Sequence, residues 1–315
     1  MTKKKSIPHG IMFHHFHGKG HPKSQGSITA KQFIELLHFI GREHILNADE
    51  FQKKAARGQL KAGDLCLTFD DNLRCQYDIA FPILQKFHIT AFWFIYTSVL
   101  KGAFERLEMY RKFRTTSFPT VDAFYKAFFQ TIQKGKYRLK ISNALKNFNP
   151  NTYLAGFPFY SDADRRFRFV RDDVLDVKQY EDIMDVMIEE AGLRLEDLAI
   201  NLWMDAACLR KLAKTENVIG LHSHTHPTRM GEMSPVEQEK EYRLNFDGIF
   251  SAVRRKPTTM SHPCNSYDGK TLRILNDLGI TLGFRANMAI PKRSNLEFPR
   301  EDHTNLVSAM KRSSF

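Results

Sequence analysis

Short apolar runs alternate with amphipathic segments through most of the 315-residue chain, and this rhythm limits the fold more than any other feature. "GIMFHHF" (10–16) breaks into the Gly/Pro/His stretch "HGKGHPKSQGS". Ser27 or Thr29 can then cap a helix whose Phe33, Leu36, Leu37 and Ile40 share one face. "LCLTFDDN" (65–72) is the next strand, 76–88 the next helix, and "TAFWFIYT" a third strand. The first hundred residues therefore spell β-α-β-α-β, which requires parallel strands covered by helices. The same rhythm returns after residue 200. A helix near 205–215 leads into "NVIGLHS", and Ser234, Pro235 and Glu237 open a helix at about 235–253 with a capping box. "TTMSHP", a helix at 268–278, "ITLGFR" and an extended segment at 295–300 follow. Some seven strand–helix units suit a closed or nearly closed barrel. Residues 101–200 break the pattern, with helical periodicity near 121–134, 140–147 and 178–190 and aromatic, turn-rich stretches between. We expect one domain over 1–315, with a largely helical insertion or lid at about 101–200.

Composition excludes some functions. The net charge of +12 points to an anionic partner, but the basic groups (Lys3–Lys5, Lys53–Lys54, Arg165–Arg168, Arg254–Lys256) accompany no RNA- or DNA-binding motif. A phosphate-bearing substrate or an anionic surface is favoured over nucleic acid. No window is long and apolar enough to span a membrane, and no apolar h-region follows the basic N-terminus, so a cytoplasmic location is expected. Cys66, Cys75, Cys208 and Cys264 are widely spaced and are expected to be reduced thiols.

Parallel barrels build their sites at the C-terminal ends of strands. Here the first strand ends in His14 and His15, the second in Asp70 and Asp71, and the fourth in "HSHTHP" with His222, His224 and His226. The fifth ends in His262, Pro263 and Cys264, and the last in "PREDH" with Arg300, Asp302 and His303. One such end is an ordinary surface loop, whereas five are what an active site requires. His222 and His226 can converge on one ion, and one carboxylate completes a site with open positions. That donor set suits Zn²⁺, and also Fe²⁺, Co²⁺, Mn²⁺ or Ni²⁺. Adjacent strand residues point to opposite sides, so one aspartate is expected to ligate while the other faces an attacking water as base.

"TFDD" after an apolar run, followed by "HSHTH" as an H-[ST]-x-x-H pattern, resembles the polysaccharide deacetylase family, the NodB-homology group also called carbohydrate esterase family 4. "GIMFHHF" is similar to that family's first strand. "SPVEQEKEYRLNFDGIF" resembles the helix after its histidine motif, and "TMSHPCNSYDGKTLRILNDLGITLGFR" its third-motif strand, helix and following strand. The resemblance covers roughly 8–100 and 200–305. It implies an α/β fold, a deformed (β/α)₇ TIM-like barrel, and a metal-dependent carbohydrate deacetylase holding one divalent ion, zinc first. It also implies Asp70 as general base, Asp71, His222 and His226 as metal ligands, and a backbone N–H near Cys264 as an oxyanion donor.

The family's third-motif arginine has no match in "TTMSHPCNSYD", and its Leu-His motif is answered only by "FPREDHTN". His303 is therefore the candidate acid, with Arg300 or Asp302 left to orient the base or that acid. His14, His262 and Asp302 are candidate substrate contacts, and Tyr110, Phe157, Phe159 and Tyr160 candidate stacking residues. The expected substrate is an acetylated sugar, nucleotide- or lipid-linked, in surface-glycan assembly. The alternatives are a C–N hydrolase acting on a non-sugar amide or formamide, and a non-catalytic glycan-binding barrel.

Overall fold

The computed structural model describes residues 7–155, 160–289 and 294–313. Phe157 and Phe159 lie outside the described residues. The chain forms two units, one made of residues 1–105 with 201–315 and the other of Arg106–Ile200.

The first unit is a parallel seven-stranded sheet: β1 (His9–Phe13), β2 (Leu65–Phe69), β3 (Phe92–Ile95), β4 (Val218–Leu221), β5 (Thr259–Ser261), β6 (Leu282–Phe284) and β7 (Arg300–Asp302). Their order is β6-β5-β4-β3-β2-β1-β7. Each edge finds the other through a bridge between Phe284 and Phe298, with Phe298 N–H donating to Gly283 O and Arg285 N–H to Phe298 O, both at 2.8 Å. Seven parallel strands thus close into a nearly complete barrel, as the sequence rhythm predicts.

Strand alternation explains the continuous apolar runs, because both faces are buried. Ile11, Phe13, Leu67, Phe69, Trp93 and Ile219 belong to a cluster shared with helix residues such as Phe33, Leu36, Leu37 and Leu212. Cys66, Phe92, Phe94, Leu282, Phe284 and Phe298 form a second cluster with Phe51. Phe69 stacks on Trp93 at 4.4 Å between centroids, worth about 0.5–1.5 kcal/mol beyond area burial. The Trp93 indole N–H donates to Asn217 Oδ1 at 2.9 Å, so its polar atom is not stranded. Gly220 marks the tightest point of the wall. A Cβ there would sit 2.5 Å from Thr259 Oγ1 and 2.7 Å from the Phe94 ring.

Helix ends follow the sequence signals. Thr29 and Gln32 form a capping box on Ala30–Ile40, and Ser234 and Glu237 another on Pro235–Val253. Two details differ from expectation. The segment after β2 starts as a π-turn, Gln76–Ala80, before the α-helix Phe81–Lys86. The last strand lies at Arg300–Asp302 instead of 295–300, and a helix, His303–Ser313, begins directly after it.

The second unit is helical. Val121–Lys134 and Val177–Glu190 are its long helices, capped by Thr120 and Asp176. Phe124, Phe128 and Ile132 recur at i, i+4 and i+8 along one stripe of the first, and all three are buried. Phe167 lies 5.0 Å from Phe128 and 4.9 Å from Tyr125, so aromatic side chains make this core.

Candidate active site

The two acids after β2 reach one place because the backbone turns between them. Asp70 N–H still donates to Phe13 O at 3.1 Å, as a strand residue would. Asp71 and Asn72 then adopt φ of 77° and 56°, left-handed values that cost non-glycine residues about 1–3 kcal/mol each. The turn is pinned from both sides. Asn72 Nδ2 donates to Met204 O at 3.2 Å, and Met204 N–H returns to Asn72 O at 2.9 Å. Gln76 Nε2 donates to Asp70 O at 2.6 Å and to His14 O at 2.8 Å, tying the β1 and β2 exits together.

Asp70 is buried and paired. Arg300 donates through Nη1 to Oδ1 and through Nη2 to Oδ2, each at 2.8 Å, and Ser261 Oγ adds a third bond at 3.1 Å. Arg300 is itself fully used, with Nε on Arg285 O, Nη1 also on Thr68 Oγ1 and Nη2 also on Ser261 Oγ. Burial alone would raise the Asp70 pKa, but the Arg300 guanidinium and His222 more than reverse this and hold it below the ordinary range. The arginine absent from the third motif is thus supplied by β7.

Asp71, His222 and His226 converge instead on each other, with one donor atom of each lying within 4.8 Å of the others. Asp71 Oδ1 is 3.3 Å from both imidazole Nε2 atoms. His222 Nδ1–H donates to Ser261 O at 2.9 Å, so its Nε2 presents a lone pair. His222 N–H is held by Asn245 Oδ1 at 2.9 Å. His226, at φ 56°, is turned inward by its own N–H donating to Ser223 Oγ at 3.1 Å. Asp71 Oδ1 is buried with no hydrogen-bond partner.

A buried carboxylate oxygen facing two imidazole nitrogens wants a cation between them, and two His with one carboxylate suit a divalent metal. The electrostatics agree. Burial works against ionised Asp71, yet the two histidines pull its pKa well below normal. Burial likewise works against charged His222, while Asp70 and Asp71 raise its pKa.

His14 stands at the edge of this group. Its Nε2 is 3.8 Å from Asp71 Oδ2 and 4.0 Å from Asp70 Oδ2, and its side chain keeps 28% exposure. The structure does not bring the other sequence candidates there. His303 is buried, its Nδ1 at 3.1 Å from Met12 O and its Nε2 at 2.9 Å from Gly26 O. With both nitrogens against carbonyls it has no free edge for a leaving group. Asp302 caps the last helix, accepting from Thr304 N–H at 2.7 Å and from the Thr304 hydroxyl at 2.6 Å. His262 is buried, stacked on Tyr267 at 3.9 Å, with Nε2 on Leu296 O at 2.9 Å. Cys264 is exposed on a left-handed turn. Among the proposed stacking residues, Tyr110 is buried and donates to Asp185 at 2.8 Å, while the Tyr160 ring lies under Arg168.

Gln76, Asn245 and Ser261 carry the site without standing out in the sequence. The signal available was a polar residue on an otherwise core-facing stretch, as for Asn245 between Tyr242 and Ile249.

Residues 181–283 match the family model described as polysaccharide deacetylase, a span that includes His222, His226 and Ser261. No curated protein matches the chain significantly by sequence. Among solved structures, the chain is similar to the Streptococcus pyogenes deacetylase PplD, at 14% identity and TM-score 0.55 over 95% of this chain and 93% of that one. It is also similar to IcaB from Ammonifex degensii, at 13% identity and TM-score 0.56 over 97% of both chains. A third match is the BpsB deacetylase domain from Bordetella bronchiseptica, at 12% identity and TM-score 0.53 over 95% of this chain and 96% of that one. At such identities the structural likeness speaks for the fold, and residues 181–283 carry the match to the polysaccharide deacetylase model.

Proposed function

We propose that this chain is a metal-dependent hydrolase that removes an acetyl group from a carbohydrate. One observation carries the reading: an aspartate locked in its ionised form, Asp70, lies beside a second aspartate whose free oxygen faces two histidines. When bound by Asp71, His222 and His226, a divalent ion supplies Lewis acidity, polarising the acetyl carbonyl and acidifying water near it.

The chain's own groups do the rest. Arg300 keeps Asp70 charged and fixes both its oxygens, so Asp70 is the acceptor for the attacking water's proton. A carboxylate with so low a pKa is a weak base and is matched only to an acidified water. His14, partly exposed and within 4.0 Å of both carboxylates, gives a proton to the leaving nitrogen or oxygen in this reading. His303 is not so placed. The Aggregatibacter actinomycetemcomitans protein of similar fold is a de-N-acetylase, which supports an amide as the bond cleaved. The net charge of +12 supports a substrate carrying phosphate, such as a nucleotide- or lipid-linked sugar.

The test is acetate release from N- and O-acetylated sugars by metal-loaded protein, with metal content measured in parallel. Asp70→Asn should keep the metal and lose about 10²–10⁴ in rate. His222→Ala with His226→Ala should lose the metal itself. Undiminished turnover in Asp70→Asn would remove Asp70 as base, and metal retained by the double variant would misplace the ion.

A further inference from the structure

The loop that carries His222 and His226 has a strained backbone. Ser223 and His226 hold φ of 63° and 56°, left-handed values that persist in non-glycine residues only where the surroundings over-determine them. The bonds that do so come from one face of the helix Pro235–Val253. Glu241 Oε2 accepts from His224 N–H at 2.9 Å and from Thr225 N–H at 2.8 Å, and its Oε1 accepts from the Thr225 hydroxyl at 2.8 Å. One helical turn on, Asn245 Oδ1 takes the His222 N–H, while its Nδ2 donates to Ile95 O at 2.8 Å and to Thr97 Oγ1 at 3.1 Å. Gly248 completes this face: a Cβ there would meet Thr97 Cβ at 2.9 Å, so the helix sits as close as bare backbone allows. From the other side Ser98 N–H donates to His224 O at 2.9 Å, and the His224 ring is bonded through Nδ1 to Thr97 Oγ1.

Asn245 is buried and fastens the first residue of the loop. Glu241 is only half-buried, and its three hydrogen bonds go to His224 and Thr225, the residues between the two histidines that face Asp71. Bonds from N–H and O–H groups to a carboxylate are roughly twice as strong as those to a neutral acceptor. Without them two backbone N–H groups revert to water, and the segment between the histidines regains freedom. An arriving ion would then have to order the loop itself. A ligand that fits a conformer only fractionally populated loses affinity by that fraction. We propose that Glu241 is a positioning residue that holds His222 and His226 in their metal-receiving arrangement before an ion binds. The proposal rests on Asp71, His222 and His226 as the ligand set.

The test is a titration of Co²⁺ into the full chain, stripped of metal, in competition with a chromophoric chelator. Parent, Glu241→Ala, Glu241→Gln and the double variant His222→Ala with His226→Ala are compared. Glu241→Ala should weaken Co²⁺ binding about 10–100-fold. Glu241→Gln keeps an oxygen for the two N–H groups and should stay within about threefold of the parent. A residue serving only the fold would lower the melting temperature of the metal-free chain and leave the affinity of the folded chain unchanged. The proposal is overturned if Glu241→Ala binds Co²⁺ within about twofold of the parent while the double variant loses it. It is also overturned if Glu241→Gln loses as much as Glu241→Ala, which would assign the effect to the charge of the carboxylate instead of its hydrogen bonds. Co²⁺ retained by the double variant would overturn the ligand set, and this proposal with it.

Discussion

The two units handle buried charge in opposite ways. All thirteen histidines lie outside residues 106–200, and with them Arg300, whose guanidinium is enclosed and paired with Asp70. Between Arg106 and Ile200 there is no histidine, and the cations there include Arg114 and Arg168, which pair with no acid among the described residues. In the barrel unit the chain completes Asp70 itself, whereas Asp71 Oδ1 is a buried carboxylate oxygen without a hydrogen-bond partner. In the helical unit the buried atoms left without a hydrogen-bond partner include Arg168 Nε, a donor.

The largest test of this contrast is Arg300→Met. It strands Asp70 as a buried, unpaired carboxylate, and breaking such a pair costs about 3–5 kcal/mol. Both tryptophans, Trp93 and Trp203, lie in the barrel unit, so urea unfolding followed by tryptophan fluorescence reads that unit. A loss below about 1 kcal/mol would show that Asp70 does not depend on Arg300. Arg114→Met, by the same physics, should change stability in the other direction.

Gln76→Ala comes next. It removes two donors from the carbonyls of His14 and Asp70, and stranding such groups costs about 1–3 kcal/mol. If Gln76 sets the spacing of the two loops, acetate release should fall further than stability alone explains. Equal kcat in the variant and the parent at a temperature where both are folded would reduce Gln76 to a structural residue.

The histidine asymmetry predicts a pH response in the barrel unit. Burial lowers the His262 pKa to about 3 and also lowers that of His303. Below the ordinary value of about 6.5 the unfolded chain takes up protons that these folded rings refuse. Their contribution is therefore present above pH 6.5 and is lost as pH falls, at up to about 1.4 kcal/mol per pH unit for each ring. His222, with its pKa raised, acts on the other side, losing its contribution as pH rises. Between pH 6.5 and 5, with chelator present, the fluorescence-detected midpoint should fall, and less so in His262→Gln. An identical slope in that variant would show that His262 accepts a proton in the folded state.

Much of this was legible beforehand for a physical reason. Strands buried on both faces and helices with one apolar stripe leave strong periodic patterns, and all seven strands lie within a few residues of their apolar runs. "TFDD" and "HSHTH" were visible because the groups that ligate or ionise are chemically unlike their neighbours. Two things were less so. Arg300 stood beside Asp302 as a candidate to orient the base or the acid, and the choice waited on the fold, because Arg300 is 230 positions from Asp70 and becomes its neighbour only when β7 pairs with β1. His303 looked like an acid because it follows a strand, but a helix begins at that residue and turns both ring nitrogens onto carbonyls. Sequence spacing can name residue types at strand ends, whereas the direction of a side chain depends on the first turn after the strand.

The smallest effect calibrates the others. Arg243 pairs with Glu239 one helical turn away, at 2.7 Å, and its side chain keeps 59% exposure. Water already solvates both charges there, salt screens them, and two long side chains lose freedom to hold one geometry. Arg243→Ala should therefore cost only about 0.3–0.5 kcal/mol in urea unfolding, shrinking further in high salt. Loss of an arginine then spans three environments: exposed and paired at Arg243, buried and paired at Arg300, half-buried and paired with no acid among the described residues at Arg114. A loss of more than about 1 kcal/mol at Arg243 would mean that arginine itself, through packing of its aliphatic stem, sets the scale. In that case the difference between Arg300 and Arg114 could no longer be ascribed to whether the chain answers the charge.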